Sequence, residues 1–289
     1  MAGRRPRARR AAVCVGVVAA CVATLFSAGA LHPTPAAAAT AARPDTATAD
    51  FLAKVKPTGK ARVTAAVLDL DGTGRVPTVY GDDTPYDTAS IIKVDILATA
   101  LLRAQDAGHG LTAKERDEAE VMVERSDNDA ANALWRDIGM ARGLDAANKR
   151  LGLTETQGGA DTKWGLTQTT ASDQIRLLRD VFDTGPASTA GTKALHQASR
   201  TYIRTLMSKV IGEQSWGVSA AADSGWALKN GWLQRSTTDL WDVNSVGRIT
   251  VGKHHCLVAV LSNGSTSMKD GVALVERAAR AAVTSATAH

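Results

Sequence analysis

The spacing of hydrophobic residues changes twice along this chain. Arg62–Leu70 and Val76–Tyr80 are short runs rich in β-branched residues around an Asp-Gly-Thr-Gly turn, which predicts two antiparallel strands. From residue 90 to about residue 210, apolar residues return every three or four positions, as is typical of amphipathic helices. Strand-like runs follow at 226–233, 241–251 and 255–262, and a closing helix is predicted at 270–282.

The helical stretch contains its own start and stop signals. Gly108 ends a helix that is predicted to begin at Ser90, and Thr112-Ala-Lys-Glu115 is a capping box that opens the next helix. Further helices are predicted at 128–138, 141–150, 171–182 and 192–210, with a short one at about 50–56 before the first strand.

This order of elements predicts an α/β fold with two lobes. Strands from both ends of the domain have to combine, which gives a five-stranded antiparallel sheet flanked by helices. The helical segment, at about 88–210, is then an all-helical lobe inserted into the sheet lobe. We expect a cleft between the two lobes of this domain, which spans 41–289.

The first forty residues are predicted to be a secretory signal peptide and tether. Five arginines lie within the first ten residues, an apolar run follows at 11–31, and an alanine stretch at 36–39 offers cleavage sites. Two alternatives stay open: an uncleaved membrane anchor, and a lipoprotein modified at Cys21. The predicted location is extracellular, with the cell envelope as the alternative.

Removing this segment changes the charge balance. The chain has 34 basic and 29 acidic side chains, and the five arginines of the signal account for the whole difference. The neutral remainder gives no reason to expect nucleic acid binding. Cys14 and Cys21 belong to the signal, so Cys256 stands alone and no internal disulfide is expected. We expect a monomer without a cofactor, which meets a membrane only through its N-terminal segment.

The chemistry is concentrated in three short clusters: Ser90-Ile-Ile-Lys93, Ser126-Asp127-Asn128 and Lys229-Asn230-Gly231-Trp232. A serine hydroxyl needs an adjacent base to act as a nucleophile, and residues three apart share one face of a helix. Lys93 can be that base if apolar surroundings depress its pKa. Alone, each cluster has an ordinary explanation, such as a solvated lysine or a helix cap.

In this order and setting, the clusters resemble the serine β-lactamases and penicillin-binding proteins, above all the class A β-lactamase-like fold. The resemblance implies a covalent serine hydrolase with Ser90, Lys93, Ser126 and Lys229 as catalytic residues. It implies that Ser126 relays a proton to the leaving group. Substrate-binding roles fall to four other positions: Asn128, Asn230, Gly231 and Trp232.

The same resemblance implies that Asp127 shapes its turn, and that the backbone N–H groups of Ser90 and Trp232 form an oxyanion hole. Asn230 departs from the family pattern, which has a threonine or serine there to bind a substrate carboxylate. A rival third cluster, Lys269-Asp-Gly271, lies in a loop before the last helix and is less favoured.

One expected residue is absent from the loop at 152–170. Class A β-lactamases carry there a glutamate that activates the deacylating water, within a Glu-x-x-x-Asn pattern. Only Glu155 and Asp161 are acidic in this loop, and neither is followed by that asparagine. The sequence therefore predicts acylation with slow deacylation, unless one of these two acids or Lys93 substitutes.

The predicted substrate is a β-lactam or a related amide, a small molecule or peptide. Two other functions stay open: a D-alanyl-D-alanine peptidase or other amidase or esterase, and a pseudo-hydrolase that binds penicillin or cell-wall peptide with little turnover. His254 and Cys256 share a strand face, but two ligands do not make a metal site. Trp164 and Trp232 are placed to line the cleft.

Overall fold

The computed structural model describes residues 46–72, 75–185 and 193–288, so the predicted signal peptide lies outside the described residues. The strands are β1 (Arg62–Asp69), β2 (Thr78–Tyr80), β3 (Tyr86–Asp87), β4 (Gln168–Thr169), β5 (Ser224–Gln234), β6 (Trp241–Val251) and β7 (His254–Ser265). The α-helices are α1 (Thr46–Val55), α2 (Ile92–Asp106), α3 (Ala113–Glu124), α4 (Asn128–Asp137), α5 (Met140–Leu151), α6 (Ala171–Phe182), α7 (Gln197–Met207) and α8 (Met268–Ala286).

The main sheet has five antiparallel strands in the order β2-β1-β7-β6-β5. β1 pairs with β7 from Arg62 opposite Asn263 to Asp69 opposite Cys256, so the two ends of the domain meet in the middle of the sheet. The predicted α/β fold with a five-stranded antiparallel sheet is therefore confirmed. β5, which carries the third cluster, is an edge strand.

Side chains alternate between the two faces of this sheet, because successive residues of a strand point to opposite sides. Val63, Ala65 and Val67 of β1 pack with α1 and α8, whereas Ala66 and Leu68 pack with the helices of the inserted lobe. The sheet is thus covered on both faces, and the second lobe grows from one of them.

Helix α2 is the centre of the helical lobe. Twelve of its 15 residues are buried, which is the pattern of a helix surrounded by others rather than one at a surface. It is packed against α3, α4, α5 and α7. Because both ends of α2 are fixed by packing, a side chain in its first turn, such as Lys93, is held in one place.

Asp95 is a charged residue type inside this core. It is fully buried in α2, and Asn148 donates to both of its carboxyl oxygens, at 3.0 and 3.1 Å, when the amide nitrogen faces it. Burial raises the pKa of Asp95 to about 8. At neutral pH this carboxyl group is mostly protonated and therefore uncharged.

Some boundaries differ from the sequence-based expectation. Helix α7 spans Gln197–Met207, shorter than the predicted 192–210, and α1 begins earlier than predicted, at Thr46. The two-residue strands β3 and β4 pair with each other and were not predicted, because two residues carry no periodicity. This small sheet ties the segment before Ser90 to the end of the 152–170 loop.

Within the described part of the chain, no helix is long and apolar enough to cross a membrane.

Candidate active site

Ser90 lies in a 3-10 helix, Ala89–Ile91, that leads directly into α2. Ala89 has a φ of 46°, a left-handed conformation that costs energy for a residue with a side chain. Asn244 on β6 holds this turn by donating to the carbonyl oxygens of Asp87 and Thr88, at 2.8 and 3.1 Å. The sheet lobe therefore fixes the serine turn in its strained form.

Lys93 follows one turn later and is fully buried. Its ammonium nitrogen donates to the carbonyl oxygen of Ser126 at 2.6 Å, to the hydroxyl of Ser126 at 3.1 Å and to the amide oxygen of Asn128 at 2.8 Å. Ser90 has no hydrogen bond to Lys93 in this geometry. Burial lowers the pKa of Lys93 to about 7, against an opposing effect of the Asp127 carboxylate.

The second cluster forms the tight turn at the start of α4. Ser126 has a φ of 58°, and the Asp127 carboxylate caps the helix by accepting the Ala130 N–H at 2.8 Å. Capping and positioning occur together, because the cap fixes the turn that presents Ser126 and Asn128 to Lys93. The first two clusters are thus joined through one lysine.

The third cluster brings a second buried lysine to the site. Lys229 and Gly231 lie on the face of β5 that is turned toward the helical lobe, and Lys229 donates to the carbonyl oxygen of Asn230 at 3.1 Å. Burial, together with the positive charge of Lys93, lowers the pKa of Lys229 well below its usual value. The site therefore contains two lysines of depressed basicity.

Gly231 packs directly against the serine turn. A Cβ atom at this position would lie 2.7 Å from the backbone nitrogen of Ser90 and 2.8 Å from that of Ile91. The prediction was that a glycine here allows close approach to a ligand. In the structure, the group that approaches Gly231 closely is the backbone of the Ser90 turn, not a ligand.

Asn230 lies on the opposite face of β5 from Lys229. Its amide nitrogen donates to the carbonyl oxygens of Gln214 and Trp216, both at 2.8 Å, and its side chain is fully buried. The amide thus clamps the connecting segment after α7 to the strand. This geometry favours a positioning role for Asn230 over the predicted contact with substrate.

A cleft of about 650 Å³ opens above Ser90. Asn128, Trp164 and Trp232 contribute to its walls, as do the loop at 162–166 and the β5–β6 hairpin at 234–237. Both tryptophans border the cleft, but the ring of Trp232 packs against Trp216, with 5.9 Å between the ring centres, on the face of β5 opposite Lys229. Both lobes contribute to this cavity, as expected from the order of the elements.

Trp164 is the residue of the 152–170 loop that reaches the lysine. Its ring lies 4.9 Å from the Lys93 ammonium nitrogen, and its indole N–H donates to the Asn132 amide oxygen at 2.9 Å. Glu155 and Asp161 are exposed and do not line the cleft. In this loop the lysine meets an indole rather than a carboxylate.

Asn132 and a charged network at the cleft rim were not predicted. Arg235 on the hairpin pairs with Asp87, which also accepts from the Gln168 amide, and Asp242 lies 4.0 Å from the guanidinium. Burial and the neighbouring Asp87 raise the pKa of Asp242 to about 7. Asn132 could have been predicted from the sequence, because it lies four residues after Asn128 and therefore on the same face of α4. The rim network could not have been predicted, because it joins segments that are distant in the sequence.

The remaining sequence candidates lie elsewhere. Lys269 is exposed at the start of α8, on the far side of the sheet from the helical lobe. The His254 ring is hydrogen-bonded to Asp69 at 2.7 Å, and Cys256 is buried in the core. Among the described residues no group of histidine, cysteine and acidic side chains is arranged to hold a metal ion.

The chain matches the model of a known protein family. The model of the β-lactamase enzyme family matches residues 106–286, more than half of the chain. The match includes the second and third clusters and begins after Ser90 and Lys93. No curated protein matches the chain.

Several solved structures share the fold. The TLA-1 extended-spectrum β-lactamase is 16% identical with a TM-score of 0.69, over 81% of this chain and 97% of its own. PBP-A is 17% identical with a TM-score of 0.70, over 86% and 98%. A class A β-lactamase from Bacteroides cellulosilyticus is 15% identical with a TM-score of 0.69, over 84% and 98%. The feature shared with these proteins is the fold.

Proposed function

The chain belongs to the β-lactamase enzyme family, as a class A β-lactamase-like serine hydrolase, and we propose that it forms an acyl-enzyme at Ser90 with a β-lactam or a related amide. One observation carries the proposal. Lys93, one helical turn from Ser90 and with a pKa of about 7, is hydrogen-bonded to both Ser126 and Asn128. A buried lysine that is partly neutral at neutral pH can accept a proton, which an ordinary lysine cannot.

In the acylation step, the Ser90 oxygen attacks the amide carbonyl carbon while neutral Lys93 takes the hydroxyl proton. The negative charge that develops on the carbonyl oxygen is bound by the backbone N–H groups of Ser90 and Trp232. The packing of Ser90 against Gly231 supports this arrangement, because it brings the two backbone segments together.

Collapse of the intermediate breaks the carbon–nitrogen bond and leaves the acyl group as an ester on Ser90. The leaving nitrogen needs a proton, and in this proposal Ser126 delivers it. Lys93 donates to the Ser126 hydroxyl at 3.1 Å, so the proton taken from Ser90 passes through Lys93 and Ser126 to the leaving group. Asn128 accepts a hydrogen bond from Lys93 and also lines the cleft in which the substrate would bind.

We propose that deacylation is slow. It requires a water molecule next to the ester and a base for its proton, and the cleft side of Lys93 is covered by Trp164 instead of a carboxylate. The structure of a PBP-A variant is described as an acyl-enzyme complex with penicillin G. A protein of this fold can therefore accumulate the ester.

The test is the intact mass of the purified protein during incubation with penicillin G. One added penicillin per chain should appear rapidly and persist, with a burst of product and little later turnover. Ser90→Ala should abolish the adduct while the melting temperature stays unchanged. Lys93→Met should slow its formation by about 10²-fold or more, the usual contribution of a general base.

Ser208→Ala is a matched control, since this exposed serine lies outside the cleft. It should be acylated like the unaltered protein. An undiminished adduct in Ser90→Ala, or no adduct in any variant, would contradict the assignment. Rapid multiple turnover would contradict only the slow-deacylation part.

We also propose that the protein is exported. The five N-terminal arginines, the apolar run at 11–31 and the alanine stretch at 36–39 support a cleaved signal. The mature protein should begin near residue 40, as measured by N-terminal sequencing of the extracellular fraction. An intact Met1, or a lipid on Cys21, would contradict simple secretion.

A further inference from the structure

A second cavity lies between the two lobes and shares no lining residue with the catalytic cleft. Its volume is about 670 Å³, and its walls come from the ends of α6 and β1, from β6 and β7, and from one side of α7. Four basic side chains line it: Arg75, Arg204, Arg248 and His255.

Arg204 and Arg248 approach the cavity from different lobes. Arg248 is on β6, opposite Ala227 and Leu257 and on the face of the sheet that meets the helical lobe. Arg204 is on α7 and donates to the Thr201 hydroxyl at 2.9 Å. Two guanidinium groups from two lobes thus line one cavity.

The two arginines repel each other. Burial lowers the pKa of Arg204, and the positive charges of Arg200 and Arg248 lower it further. Within the described residues Arg248 has no hydrogen bond and no ion pair. Like charges that line one cavity without a counter-charge destabilise the protein unless something negative lies between them.

The acids of the cavity are already occupied. Asp183 is paired with Arg75 at 2.6 Å and lies within 4.0 Å of Arg179 and Lys193. Asp71 accepts the backbone N–H and the ring nitrogen of His255, at 2.7 and 3.0 Å.

The segments 73–74 and 186–192 adjoin the lining residues Arg75 and Gly185 in the sequence, lie outside the described residues and contain no aspartate or glutamate. Among the described residues that line the cavity, no carboxylate is therefore left for Arg204 and Arg248.

We propose that this cavity binds a phosphate group, held between the guanidinium groups of Arg204 and Arg248. The planar fork of arginine matches the oxygens of a phosphate, and a dianion satisfies two such forks at once. Because the two arginines belong to different lobes, the bound anion joins the lobes and stabilises their packing. The site is independent of Ser90 and of the proposed reaction.

Thermal unfolding in inorganic phosphate tests this proposal, with sodium chloride at the same ionic strength as the reference. The melting temperature should rise with phosphate concentration, since a ligand that binds only the folded state stabilises it in proportion to the logarithm of its excess over Kd. Arg204→Gln and Arg248→Gln should each abolish most of this rise. Ser90→Ala should leave it unchanged.

Arg280→Gln is the matched control, because it removes the same charge from the exposed face of α8. It should keep the full phosphate effect. In the absence of phosphate, Arg248→Gln should melt no lower than the unaltered protein, since it relieves the repulsion with Arg204. This readout separates loss of the site from loss of the fold.

Two outcomes would overturn the proposal. One is a melting temperature that does not respond to phosphate beyond the chloride reference. The other is an equal response in Arg248→Gln, which would place the anion elsewhere, for example at the lysines of the catalytic cleft. Titration calorimetry with phosphate should agree, with a single site that is lost in both arginine variants.

Discussion

The rate of acylation should depend on pH through Lys93. With a pKa of about 7, roughly half of the Lys93 side chains are neutral at pH 7, and about one in a hundred at pH 5. A lysine with the ordinary value of 10.5 would be neutral in only about one molecule in 3,000 at pH 7. Raising the pH deprotonates the base, so the rate should rise about tenfold per unit below pH 6 and level off above pH 8.

The assay is stopped-flow or quenched-flow measurement of the acylation rate with a chromogenic β-lactam between pH 5 and pH 10. Asp127→Asn probes the cause of the midpoint, because the Asp127 carboxylate favours the charged form of Lys93. An asparagine oxygen can still accept the Ala130 N–H, so the helix cap survives while the charge is lost. The midpoint should move to lower pH in this variant.

Asp129→Asn is the matched control, since it removes the same charge from an exposed neighbour on α4. Its midpoint should not move. A rate that keeps rising tenfold per unit from pH 8 to pH 10 would refute the reasoning, because the base would then have the basicity of an exposed lysine.

Three further perturbations test other parts of the structure. Trp164→Glu should place a carboxylate over the cleft lysine and speed release of the acyl group by at least tenfold in a turnover assay, whereas Trp164→Phe should not. Gly231→Ala should displace the Ser90 turn, slow acylation by more than tenfold and cost about 1–3 kcal/mol in unfolding free energy, while Gly212→Ala, with open space at its Cβ position, should do neither. Asp95→Asn should become more stable relative to the unaltered protein as the pH rises. In the unaltered protein, folded Asp95 keeps a proton that the unfolded chain loses above about pH 4, so the stability of that protein falls by about 1.4 kcal/mol per unit up to about pH 8. Urea titrations at pH 5 and pH 7 should show the difference between this variant and the unaltered protein growing by about 3 kcal/mol, and a constant difference would contradict a neutral Asp95.

Regular elements with a clear periodicity were predictable from the sequence. Strand β6 spans Trp241–Val251 as predicted, because a short run that is buried continuously from 242 to 247 is bounded by turns on both sides. Helix α3 begins after Thr112, where the capping box supplies both hydrogen bonds. That strands from the two ends of the domain combine in one sheet followed from the need to complete that sheet, and the structure shows that β1 pairs with β7.

The parts of the site that were not predictable are those in which distant segments meet. Nothing near Asn244 in the sequence indicates that its amide holds the carbonyl groups of Asp87 and Thr88, more than 150 residues earlier. Asn230 looked like a substrate contact, since a strand pattern tells which residues share a face but not which face meets the cleft.

Trp164 is the residue of the 152–170 loop that lies beside Lys93, and this loop lacks the glutamate that class A β-lactamases carry in it. The missing glutamate left open whether another acid reaches Lys93 from the same loop. The loop instead presents an indole that covers the lysine, and the hydrogen bond from that indole to Asn132 fixes the ring against α4. An aromatic face stabilises a nearby cation without accepting its proton, so it can support Lys93 while it carries the proton taken from Ser90, but it cannot activate water. The same side chain therefore favours formation of the ester and opposes its hydrolysis.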